Sequence, residues 1–174
     1  KDLPSVKTMM RGWVRQAGFP VIEVQLKGSD EFTLTQSVFG GSDDEATMWT
    51  IPLTIEQGGE ITKVTLTERE VTLKKTAPVI IVNSDQNAFC RVKYGQGIIS
   101  KINVHTEKMN VFQQIQFLDD NYALHHAQEF QLKQLANLTT KIAKVAGKDL
   151  IERFVLRLFS VFVDIKDRKK ISEF

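Results

Sequence analysis

Three imidazoles, His105, His125 and His126, are the side chains best suited to hold a metal or carry a proton in this 174-residue chain. A helical zinc site places its histidines at i and i+4, where both side chains share a face. His125 and His126 are adjacent, so they point about a quarter-turn apart and read as ordinary helix surface. Asp119 and Asp120 invite a reading as a paired general acid and base. Neighbouring carboxylates on a helix diverge as well, and neither has a partner histidine. Cys90 lies in an apolar stretch, where a packed thiol is the plainer reading than a nucleophile. Gly95-Gln96-Gly97 falls far short of a phosphate-cradling loop. Lys166 to Lys170 is a basic run with acidic interruptions, the mark of a solvated face. Asn137-Leu138-Thr139 matches a glycosylation sequon. On chemistry alone the sequence names no activity, and no residue of this chain is expected to be catalytic, cofactor-binding or metal-binding.

The elements that would position these groups divide the chain in two. From Pro20 to Tyr94 apolar and polar residues alternate, as in half-buried strands. Ile22, Val24 and Leu26 share one face, and Phe32, Leu34 and Val38 continue it after the Lys27-Gly28-Ser29-Asp30 turn. Trp49, Ile51, Leu53 and Ile55 alternate again, and Gly58-Gly59 leads back through Val64 and Leu66 as a hairpin. Val71 with Leu73, Val79 to Val82 and Phe89 to Tyr94 bring the total to about seven strands, which argues for a small antiparallel β-sandwich. Pro20, Pro52 and Pro78 belong at strand starts, edges or bulges.

From Thr106, a plausible N-cap, the period becomes helical, with Val111, Ile115, Leu118 and Tyr122 on one stripe. Further helices are predicted from about Glu129 to Asn137, from Thr140 to Ala146, and onward from a capping box at Asp149 and Glu152. In the last of these, Ile151, Phe154, Val155, Leu158, Phe159 and Phe162 form a broad apolar face. The fold class expected is a β-sandwich followed by an incomplete all-α segment.

Bulk properties set limits on the function classes. Apolar residues are 42% and charged residues 25%, an ordinary globular composition. A formal net charge of +2 gives no long-range pull towards nucleic acid or a membrane surface, so neither is expected as a partner. With Cys90 as the sole cysteine an internal disulfide is impossible, and that usage leans weakly towards a reducing, cytoplasmic compartment. The most apolar run, Phe154 to Val163, is broken by Arg157 and Ser160 and reaches about half a membrane span. The start shows no signal-peptide pattern. Lys1 and the charged, helix-like last residues suggest a piece of a longer chain.

A set of ordered local patterns says more. Trp13-Val14-Arg15-Gln16-Ala17-Gly18-Phe19-Pro20-Val21 resembles the W-x-x-Q-x-G-[FY]-P-V signature of the gluzincin zinc aminopeptidases. Leu34 to Phe39 is similar to that family's Q-x-R-F strand, and Trp49-Thr50-Ile51-Pro52-Leu53 to its W-x-[IV]-P-[LIV]. Asn83 followed by Phe89-Cys90-Arg91-Val92-Lys93-Tyr94 resembles N-x(5)-[GF]-[FY]-[YF]-R-V-x-Y. Phe117 to Leu124 resembles the L-x-D-D-x-[FA]-A-L helix that opens the family's C-terminal helical domain. Five patterns in the family's order span most of residues 8–124. Val38, Cys90 and Gln113-Gln114 depart from the usual Arg, Tyr and Asp-Arg.

The resemblance implies a parent enzyme that removes N-terminal residues from peptides. It also implies three parts here: residues 1–19 as the tail of a catalytic domain, 20–98 as the sandwich, and 99–174 as the start of the helical domain. Met9, Met10 and Trp13 suit the first, as the apolar face of a helix too short to stand alone. In the family, zinc is held by an H-E-x-x-H helix and a downstream Glu, with a G-x-M-E-N loop and a Tyr nearby. None of these motifs occurs in this chain. Zinc would therefore belong to the parent, with no cofactor in this segment, and its partners would be the catalytic domain of the same chain and, for the parent, a peptide substrate. An array of paired helices ended early leaves a stripe without its neighbour. The face from Ile151 to Phe162 is therefore expected to drive self-association, or to fold back onto the sandwich. The alternative reading is a free-standing protein-binding sandwich with a helical tail.

Overall fold

A computed structural model describes residues 5–41, 47–105 and 109–126. The chain opens with α1 (Val6–Arg15), whose N-cap Ser5 accepts a hydrogen bond from the Thr8 N–H at 3.3 Å. Seven strands follow: β1 (Pro20–Lys27), β2 (Glu31–Val38), β3 (Ile51–Gln57), β4 (Glu60–Leu66), β5 (Glu70–Lys74), β6 (Ile80–Val82) and β7 (Arg91–Tyr94). Two helices complete the described chain, α2 (Gln96–Val104) and α3 (Val111–His126).

The strands form a four-stranded sheet in the order β5-β2-β1-β7 and a three-stranded sheet in the order β4-β3-β6. All pairings are antiparallel except β1 with β7, which run parallel with Val21 opposite Arg91. Parallel neighbours cannot be joined by a hairpin, and here the whole second sheet lies between them in sequence. The period-two pattern sets the inner faces. Ile22, Val24, Phe32 and Leu34 from the first sheet join Ile51, Leu53, Ile55 and Leu66 from the second in one buried core. Leu26, assigned by alternation to the same face, is exposed, although its register partner Phe32 is buried.

Turn chemistry explains the connections. Gly58 and Gly59 have φ of 61° and 92°, the doubly positive loop that matches the twist of a two-residue hairpin. Pro20 opens β1 and Pro78 precedes β6. Pro52 lies in β3, but β6 pairs only with Ile55–Gln57, so β3 has a single neighbour where the proline falls.

The helices depart from the sequence reading in two respects. Helix α2 begins at Gln96, inside the stretch read as sandwich, and buries Ile98, Ile99 and Ile102 at helical spacing. Gly95 and Gly97 lie beside β1, where a side chain at either would have to displace the outer atoms of Gln25 or Leu26. In α3 the expected stripe packs on the core at Leu118, Ile115 and Tyr122, but the buried face is wider and more polar than expected. Val111 is exposed, while Gln113, Gln114, Phe117, Leu118, Asp120, Asn121 and Leu124 are buried. The helix starts with a reciprocal capping box: the Gln113 N–H donates to Asn110 Oδ1 at 2.9 Å, and the Asn110 N–H to Gln113 Oε1 at 3.1 Å.

Thr106, the sequon at Asn137, the basic run Lys166 to Lys170, the helices beyond residue 126 and the self-association stripe from Ile151 to Phe162 all lie outside the described residues. Among the described residues no helix is long and apolar enough to cross a membrane.

Candidate functional site

The aminopeptidase-like patterns meet each other in space. The first lies between α1 and the sandwich. Trp13 Nε1 donates to the Thr50 carbonyl at 3.3 Å, and Gln16 Nε2 donates to the Met48 carbonyl at 2.8 Å. Both acceptors flank Trp49, whose ring centroid is 6.0 Å from that of Trp13. Gly18, with φ of 84°, turns the chain from helix into β1 in a conformation that disfavours other residues. Phe19 then stacks on Phe39 at 4.9 Å. Trp13, Gln16, Gly18 and Phe19 of the signature therefore make the bonds, the turn and the ring contact at the passage from helix to sheet.

Gln36 and Trp49 connect the next two patterns. Gln36 is fully buried in a core row, where an uncompensated amide would be costly. Its Nε2 donates to the carbonyls of Trp49 and Glu68 at 3.0 and 2.9 Å, and its Oε1 accepts the Trp49 N–H at 2.8 Å. The amide thus ties the two sheets together across the irregular stretch before β3. Arg69 reinforces the same corner by donating to the Gln36 carbonyl at 3.0 Å. Val38, standing where the family has Arg, packs against the apolar core.

The fourth pattern is a loop closed on itself and aimed at α3. Asn83 takes a positive φ of 57°, a conformation that asparagine tolerates better than most residues. Its side chain exchanges hydrogen bonds with Ala88 at 3.0 and 3.1 Å. The Tyr94 hydroxyl accepts the Val82 N–H at 2.9 Å, and burial holds that phenol above its ordinary range. Phe89 remains 71% exposed, packed edge-on to Trp13 and against Phe19.

The fifth pattern meets the fourth. Asp120, buried on α3, accepts from Arg91 Nη1 at 3.1 Å and from the Val92 N–H at 3.2 Å. Burial pushes its carboxyl up to about 7, while Arg91, the Val92 N–H and Gln116 pull the other way. Asp119 lies on a less buried side of the helix, so the two carboxylates do not form an acid–base pair. Gln113, in place of the family's Asp, donates to Glu56 Oε2 at 2.7 Å and so ties α3 to β3.

The other residues singled out by type fall apart in space or lie in packing roles. His105 ends α2 as its C-cap, and its backbone N–H donates to the Ile102 carbonyl at 2.9 Å. His125 and His126 lie in the last turn of α3. The Cys90 thiol packs against the core and is pushed up to about 12, first by burial and then by Asp120. A thiol held protonated is a poor nucleophile. Among the described residues no three His, Cys, Asp or Glu side chains converge to hold a metal. The Asn110–Gln113 box and the Gln113–Glu56 bond went unread, although Asn-x-x-Gln before a helical stripe was a visible signal for the former.

No family model matches the chain. Curated proteins do. It is 32% identical to a "Probable M1 family aminopeptidase 1" of Encephalitozoon cuniculi over 167 residues, covering 91% of this chain and 19% of that protein. It is 30% identical to "Aminopeptidase M1-A" of Oryza sativa subsp. japonica, covering 87% of this chain and 18% of the relative. With the "Puromycin-sensitive aminopeptidase" of Caenorhabditis elegans the identity is 26%, covering 80% of this chain and 16% of the relative. The chain thus spans about a fifth of the length of the curated relatives it matches. Sequence and motif geometry agree: over most of its length, this chain is a relative of the M1, or gluzincin, aminopeptidases.

Proposed function

We propose that this chain is the non-catalytic sandwich-and-helix segment of a zinc-dependent aminopeptidase that removes N-terminal residues from peptides. Its role is that of a spacer, which holds a helical domain over the catalytic cleft. Residues 1–19 end the catalytic domain, residues 20–98 form the spacer, and residues 99–174 begin the helical domain.

One observation carries this reading: the signature residues make contacts between parts, not within a reaction centre. Trp13 and Gln16 bind the helix before the sandwich, and Asp120 binds the helix after it. A free-standing binding module has no need for both ends to be fastened in this way. Zinc, the water-activating Glu and the oxyanion-stabilising Tyr belong to a catalytic domain on the same polypeptide, in line with a match to about a fifth of the relatives' length.

Sequencing the transcript that encodes this chain tests the proposal. An open reading frame running into Lys1 and carrying H-E-x-x-H, a downstream Glu and G-x-M-E-N is expected. A start codon immediately before Lys1 with no such motif would sink it.

A further inference from the structure

We propose that Asp120 is the latch of a joint: its carboxylate fastens α3 to the edge of β7, so that the helix can detach as a unit while both sheets stay folded. The inference names the joint on which the spacer reading rests, but its test needs no catalysis, so the two can fail separately.

Strand β7 is the last strand of its sheet, with β1 as its one neighbour. Such an edge leaves backbone groups open to other partners. The Val92 N–H is taken by Asp120 Oδ2 at 3.2 Å, and the adjacent Arg91 guanidinium by Oδ1 at 3.1 Å. One side chain thereby receives a backbone and a side-chain donor from the same strand. Its side chain is 3% exposed while that of Arg91 is 34% exposed. Water can therefore reach the cation end of the pair without entering the core.

The interface around the latch has the character of a joint. Half of the buried polar residues among the described ones lie on α3: Gln113, Gln114, Asp120 and Asn121. Surfaces between separable parts are more polar than a core, and the sandwich interior is apolar apart from a few bonded groups such as Gln36. A small cavity beside the latch is lined by Tyr94, Met109, Gln113, Gln116, Phe117 and Asp120, so packing is incomplete where the carboxylate acts. The Tyr94–Phe117 edge contact at 5.8 Å and the Gln113–Glu56 bond also hold α3, and its Phe117 and Leu118 enter the same apolar core as the two sheets. The charged and titratable groups near the carboxylate are Arg91, Cys90 and Tyr94 from β7, and Glu56 of β3 reaches the same interface through Gln113.

Hydrogen–deuterium exchange on the full 174-residue chain tests the latch. Asp120→Asn keeps the shape but turns an amide NH2 towards at least one donor. Amides of α3 and the Val92 amide are expected to exchange about tenfold faster or more, with β1, β2 and β3 unchanged. Arg91→Lys, which keeps the charge but loses the fork, should give a smaller increase in the same amides, and it carries the test should Asp120→Asn fail to fold. Equal acceleration in helix and sandwich, or no change in α3 in either variant, would overturn the proposal.

Discussion

Helices α1 and α3 are fastened to the same sandwich by opposite means. Helix α1 buries no residue. It is held at its C-terminal end by Trp13 and Gln16, while Val6 and Val14 stand 74% and 71% exposed and Met10 is also open. Helix α3 buries a face of mixed apolar and polar side chains and closes the edge of a sheet. The difference lies in how much of each helix is buried against the sandwich. At the α3 joint Asp120 and Gln113 are bonded across to β7 and β3, whereas α1 leaves Val6, Met10 and Val14 exposed, apolar side chains of the kind that mark a contact surface. Under the proposed function, the catalytic domain covers them.

The largest test of this contrast is Trp49, buried to 2% at the point where α1 meets the core. Trp49→Ala should cost about 3–5 kcal/mol, as expected for emptying a large aromatic site. Trp49→Phe should cost much less, because the indole N–H has no hydrogen-bond partner among the described residues. Gln36→Ala leaves the Trp49 N–H and two carbonyls unsatisfied and should cost about 2–3 kcal/mol in urea unfolding. Trp13→Ala should cost only about 1 kcal/mol, since the ring is half-buried and loses one hydrogen bond. Equal losses for Trp13→Ala and Trp49→Ala would erase the distinction between a loosely held α1 and the sandwich core.

Two smaller effects sharpen the other side. Burial pushes the Asp120 carboxyl from its ordinary 3.8 up to about 7. A raised carboxyl binds its proton more tightly in the folded state. Its contribution to stability is full below the ordinary value and is lost as pH rises through about 7. Urea midpoints at pH 5 and pH 8 should therefore show the advantage of wild type over Asp120→Asn shrinking at the higher pH. Cys90, pushed up to about 12, should react slowly with a thiol reagent at pH 8 until the chain is unfolded. Rapid modification of native chain would place Cys90 outside the β7–α3 joint.

The sandwich was legible because period-two alternation and glycine turns act locally. Trp49, Ile51 and Leu53 fell on the core face as their spacing required. Proline placement followed from the missing N–H alone. The parallel β1–β7 pair was not legible, since nothing within either strand states its partner. Helix α2 was hidden by Gly95 and Gly97, which read as turn residues but lie beside β1. On α3 hydrophobic spacing finds Ile115, Leu118 and Tyr122 but not the polar half of the buried face. Gln113, Gln114, Asp120 and Asn121 are buried through specific bonds that no periodicity reports. The signature residues were recognisable as a pattern, but their shared purpose, fastening helices to a sandwich, required the distances.

Elemental analysis of the dialysed chain, paired with a chromogenic aminoacyl-substrate assay, addresses the central claim most directly. No stoichiometric zinc and no turnover are expected, because the described His, Cys, Asp and Glu residues form no metal cluster and the chain carries no H-E-x-x-H. About one tightly held zinc per chain with measurable hydrolysis, both lost on chelation, would contradict a non-catalytic spacer.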